Sequence, residues 1–150
     1  MRRYTCGSLS FDSYLLMKNT ENICAGILGS AFLFFGFNFF FQFFSMPAPP
    51  ADSLVIPFFQ ATGQSGFMAF VKITEIVSAL LIIIPKFRNW GLIILGPIIV
   101  NIIAFNVFVA GGAAVFQPPV IITSILFLVV LWFKRNDFLE LTHNKEARDI

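Results

Sequence analysis

Lys72 and Glu75 are the residues in this sequence whose types and spacing best suit chemistry. They stand three apart in Phe67–Pro85, FMAFVKITEIVSALLIIIP, a run otherwise long and apolar enough to cross a bilayer. On a helix that spacing puts both on one face, so ammonium and carboxylate can meet. A charge at bilayer depth costs roughly 2.5–3.5 kcal/mol on insertion scales. Such residues persist where they face protein and pair. A sheltered pair of this kind can donate hydrogen bonds to a ligand, or accept a proton on the carboxylate. Either role requires companion helices around it.

The other polar residues that could join them are amides and hydroxyls. Asn38, Gln42 and Ser45 are spaced four and three apart in the first apolar run, Ile23–Phe44, and so fall on one helical stripe. Asn101 and Asn106 lie in the third run, Gly91–Ala110, and Thr123 and Ser124 in the fourth, Val120–Phe133. At ~1.5 Å per residue from each span's centre, Glu75 and Asn101 fall near the midplane. By the same rule Asn38, Lys72 and Asn106 fall ~4–8 Å to one side of it, with Gln42 further out. Two readings follow. One is internal glue between helices, with hydrogen bonds averaging under ~1 kcal/mol each. The other is a polar pocket in one half of the membrane, with Asn38, Gln42, Lys72, Glu75, Asn101 and Asn106 as its candidates. Asn101 and Asn106 are ~140° apart on an ideal helix, so one point cannot take both unless Pro97 kinks the span. In that case Asn101 is expected to hydrogen-bond across the kink.

The composition requires such an environment. The chain has 150 residues, 57% hydrophobic and 12% charged, against about 25% charged in soluble domains. Phenylalanine alone accounts for 21 residues, read as packing and lipid-facing surface. The two cysteines, Cys6 and Cys24, form no metal or disulfide motif, and the one histidine, His143, lies in the polar tail. That excludes an intramembrane metal or haem site built on imidazoles. There is no glycine-rich phosphate loop and no metal-ligand cluster, and nothing points to nucleic acid.

Four spans are expected, making an all-α integral membrane four-helix bundle at 23–135. A cytoplasmic arm, 1–22, precedes it and a cytoplasmic tail, 136–150, follows. The double arginine at Arg2–Arg3 does not open a signal peptide, because the apolar core waits until Ile23. Ala25/Gly29 and Gly26/Ser30 are small pairs that let a neighbouring helix come close. MPAPP breaks the chain after the first span, and Leu54–Ala61, interrupted by Pro57, is expected to lie on the membrane or dip into it. TGQSG then reads as a flexible entry to the second span. Pro118–Pro119 starts the fourth helix, where a missing N–H costs little. Every Lys and Arg except Lys72 lies in the arm, in the turn after Pro85, or from Lys134 and Arg135 at the close of the fourth span into the tail. Basic segments stay inside, so both termini are expected in the cytoplasm and the polar residues in the outer half.

VKITEIVSALLI, a basic turn and GLIILGPIIVNIIAFNVFVA together resemble the DoxX-like family of small four-helix membrane proteins. FGFNFFFQFF, PAPP and TGQSGF fit the same pattern, and the resemblance spans roughly residues 22–135. It implies a multi-pass protein of the bacterial plasma (inner) membrane. The family takes its name from a subunit of a thiosulfate:quinone oxidoreductase, so a role beside a membrane redox complex and a quinone ligand are implied. Asn38, Lys72, Glu75, Pro97 and Asn101 match the family's polar pattern. Many relatives carry histidine where Asn106 stands, and an amide cannot shuttle protons as an imidazole can.

Three roles are compatible with these residues. The first is a subunit or accessory of a quinone-linked redox system, with Lys72 and Asn38 donating to the ligand and Glu75 holding Lys72 or accepting a proton. The second is a small-molecule permease or solute-binding protein using the same pocket. The third is a non-catalytic partner docking another membrane protein through the small-residue face of the first span. The residues do not decide whether the chain is an enzyme.

Overall fold

The computed structural model describes residues 6–45, 48–135 and 137–138. Arg2, Arg3 and His143, and most of the expected tail, lie outside the described residues. Within them the chain is all-α: α1 (Cys6–Phe41), α2 (Val55–Gln64), α3 (Phe67–Ile83), α4 (Arg88–Phe108) and α5 (Pro118–Phe133), with a 3-10 turn at Ala113–Phe116.

α1 has 36 residues and runs through positions 22 and 23 without a break, so the expected arm is helical where it is described. No proline interrupts it. It ends at Phe41, three residues short of the expected Phe44. There Gln42 takes φ 48°, the left-handed conformation that ends helices. α2 forms despite Pro57 because that proline is its third residue, where no intrahelical partner awaits an N–H. Thr62, Gly63 and Gln64, expected in a flexible entry, are its last turn. Gly66 then takes φ 75°, and α2 and α3 meet at 84°. Only glycine adopts that φ without strain.

The helices pack in a ring: α3 touches α1 and α4, α5 touches α4 and α1, and α2 lies against α3. Ala25 and Leu28 of α1, Ala79 and Ile82 of α3, Leu95 of α4 and Val130 of α5 are fully buried between them. Glycines set the closest approaches. A Cβ at Gly91 would stand 2.8 Å from both Ser78 O and Ile82 N, and one at Gly29 would stand 2.5 Å from an Ile83 side-chain carbon. Gly29 thus seats α1 on α3. Gly26 meets nothing within 4 Å.

α1 and α4 are each long and apolar enough to cross a membrane, and the bent α2–α3 pair makes a third candidate. α5 is apolar but has 16 residues, ~24 Å of helix. Most of the large exposed side chains are apolar, including Phe41, Phe70, Val100 and Phe108. That surface fits hydrocarbon better than water.

One end of the ring is closed by charge. Arg88, 2% exposed, donates to Glu21 through Nη1, to Asn22 Oδ1 through Nη2 at 3.0 Å and to Ile82 O through Nε at 3.0 Å. Lys134 lies 3.4 Å from Glu21 and 3.0 Å from Asp137, and Asn89 Nδ2 donates to Asp137 at 3.2 Å. Burial pushes the Asp137 carboxyl up, but hydrogen bonds from Lys134 and Asn89 and the charge of Lys134 outweigh it. Its pKa ends below the ordinary 3.8. The cluster fastens α1, α4 and α5 at one end.

Candidate functional site

The other end of the ring is open. Between α1, α2, α3 and α4 lies a cavity of about 480 Å³. Helix geometry delivers Lys72 and Glu75 to it together. Lys72 Nζ donates to Glu75 Oε2 at 2.9 Å, with the Lys72 side chain 22% exposed and that of Glu75 3%. The pair expected from the sequence therefore forms, and both members line the cavity. Among the described residues Lys72 has no other hydrogen-bond partner, so two of its ammonium hydrogens are left for a ligand. Glu75 Oε1 is likewise unengaged.

Asn38 is placed differently from its expected role as a free donor. Its Nδ2 donates to Phe44 O at 3.0 Å, and its Oδ1 accepts from Phe44 N at 2.8 Å. The side chain is 5% exposed and clamps the turn that follows α1. It lines the cavity but mainly shapes it. Because α1 stops at Phe41, Asn38, Gln42 and Ser45 do not share a helical stripe; the clamped turn still brings Gln42 and Ser45 to the cavity wall.

Asn101 lines the cavity from α4 and is exposed there. No bond across a kink forms: its amide has no hydrogen-bond partner among the described residues, and α4 is one helix through Pro97. Asn106 is not part of the cavity. It is 8% exposed and donates to Ile102 O of its own helix at 2.7 Å. Thr123 also bonds back to its own helix, at Pro119 O, and Ser124 faces a separate groove between α4 and α5. α5, the expected fourth span, therefore contributes no lining residue to the cavity among the described residues; it packs against α1 and α4.

The walls are aromatic. Phe35 and Phe39 of α1, Phe58 and Phe59 of α2, Phe67 of α3 and Phe105 of α4 line it. Phe58 and Phe59 reach Phe105 with ring centroids 5.0 and 5.5 Å apart, so α2 closes over the space from one side. Part of the phenylalanine excess, read as packing and lipid surface, thus lines the cavity. Beneath Glu75 the bundle is closely packed: Ala79 and Ile82, one and two turns beyond it, are fully buried with Leu28, Leu95 and Val130, and Ser78 is buried beside them with its hydroxyl donating to Glu75 O. The arrangement can seat a small amphiphile with its polar head at Lys72 and Asn101. Among the described residues no group of His, Cys, Asp and Glu could hold a metal.

No family model matches the chain, and no solved structure matches it. The chain is similar to the protein YwoB of Bacillus subtilis (strain 168), described as uncharacterised. The two are 29% identical over 120 residues, taking in 71% of this chain and 76% of the relative.

Proposed function

We propose that this chain is a DoxX-like, four-span protein of a bacterial plasma membrane that binds a quinone-type small molecule as an accessory subunit of a redox system. The observation that carries the reading is the aromatic cavity of about 480 Å³ with the Lys72–Glu75 pair and the free Asn101 amide on its wall. Its volume lies in the range of small-ligand pockets. Aromatic rings suit a flat ring system, and Lys72 and Asn101 suit its carbonyl oxygens.

The orientation rests on charge and tryptophan. Lys86, Arg88, Lys134 and Arg135 gather at the end away from the cavity. Trp90 and Trp132, 65% and 67% exposed, sit at that same end, in the first turn of α4 and the last of α5. Basic residues mark the cytoplasmic side, and tryptophans belong at the interface. The cavity then opens toward the outer half. The packed layer of Leu28, Ala79, Ile82, Leu95 and Val130 favours a one-sided binding site over a passage through the bundle. Gly29 is occupied by α3, which leaves the small-residue docking face of α1 with less to offer a partner.

Two experiments test this. Cysteines placed near positions 52 and 112 should react with an impermeant thiol reagent in whole cells, while one near position 87 should not. The protein purified in mild detergent should bind a short-chain quinone, and Lys72→Met should weaken that binding about tenfold or more. A quinone affinity equal in the folded variant and the wild type, or none in either, would count against the reading.

A further inference from the structure

We infer that the cavity selects uncharged ligands and rejects anionic ones, because the one cation lining it among the described residues is already neutralised within the wall. The inference rests on the reading of the cavity as a binding site and narrows its ligand class. Lys72 and Glu75 are the charged residues lining it, and they stand 2.9 Å apart. Their charges sum to zero. The remaining polar wall groups, Asn38, Gln42, Ser45 and Asn101, are neutral. An incoming carboxylate or oxyanion would lose its hydration among phenylalanine rings and meet an ammonium whose charge Glu75 already balances. It would also come close to the Glu75 carboxylate, a like charge. A carbonyl or hydroxyl head escapes both penalties. It can accept from the two spare Lys72 hydrogens and from the Asn101 amide, and a hydroxyl can donate to Glu75 Oε1. Glu75 is therefore a specificity residue: it turns a cationic pocket into a neutral one that still presents donors.

A matched pair of probes tests this. The whole protein in nanodiscs of zwitterionic lipid is titrated with 2-tridecanone and with dodecanoate, compared at equal membrane concentration, with occupancy read by native mass spectrometry. The wild type should prefer the ketone by about tenfold or more. Glu75→Gln, nearly isosteric, should reverse the preference by leaving Lys72 unbalanced. Equal or tighter dodecanoate binding by the wild type overturns the selectivity while leaving a binding cavity in place. Binding of neither probe overturns both. The wild-type comparison stands by itself, so the result does not depend on the variant's folding.

Discussion

Arg88 reaches back 67 positions to Glu21 and binds it at the end of the bundle opposite the cavity. The Arg88 side chain is 2% exposed and that of Glu21 14%, so the pair is largely shielded from water. The pair joins the first turn of α4 to α1, and Lys134 extends it to α5.

Breaking it from one side should therefore be costly. Arg88→Met leaves Glu21 with Lys134 as its one remaining cation among the described residues and strips Ile82 O of its side-chain donor, and a loss of about 3 kcal/mol is expected. Replacing both partners, Glu21→Met with Arg88→Met, should restore most of it. Unfolding by denaturing detergent in mixed micelles measures both. Equal stability of the single variant and the wild type would mean the pair is not buried.

The glycines should rank by what surrounds them. Gly91→Ala is expected to cost most, because its Cβ would meet two backbone atoms at 2.8 Å. Gly29→Ala should cost less, since the Ile83 side chain can turn aside and the one backbone atom its Cβ would meet, Ala79 O, stands further off at 3.0 Å. Gly26→Ala should be neutral or stabilise by up to ~1 kcal/mol through helix propensity. The same unfolding assay checks the order.

Asn38→Leu removes both hydrogen bonds to Phe44 and leaves its N–H and its C=O without the partners they have here. A loss of about 2 kcal/mol is expected, with faster amide hydrogen exchange at Phe44. Exchange as slow as in the wild type would show that the turn does not need its clamp.

Asp137 should give the stability an acid limb. Its folded pKa is depressed, so its contribution is fully present above the ordinary 3.8 and is lost as pH falls through the lower folded value. The carboxyl is 45% exposed, which keeps the effect under ~1 kcal/mol. Stability of the wild type relative to Asp137→Asn should shrink over that acidic window and stay flat above it.

What the sequence revealed followed from local geometry. The Lys72–Glu75 contact needs only a helix and a spacing of three. Pro118 and Pro119 mark the start of α5, and MPAPP with Pro57 marks the break that sets α2 apart. The far-side cluster was hidden because Glu21 and Arg88 meet only when α1 and α4 are folded together. A signal did exist: an arginine in a helix's first turn opposes the dipole there and calls for a carboxylate. Asn101 and Asn106 were separable by angle, but not by which one faced the cavity. α4 is apolar all round, so no hydrophobic stripe marked its buried side. Asn106 extends the buried row of Leu92, Leu95 and Ile99, which only the packed structure makes visible.

The sheltered ion pair at the cavity is best examined directly in a bilayer. Solid-state NMR with ¹⁵N-lysine and ¹³C-glutamate labels reads dipolar coupling between the Lys72 ammonium and the Glu75 carboxylate, assigned by its loss in Lys72→Met. The expected result is a strong coupling that matches the 2.9 Å contact. A protein that is folded and inserted yet shows no such coupling would contradict it, because the two charges would then be facing apart.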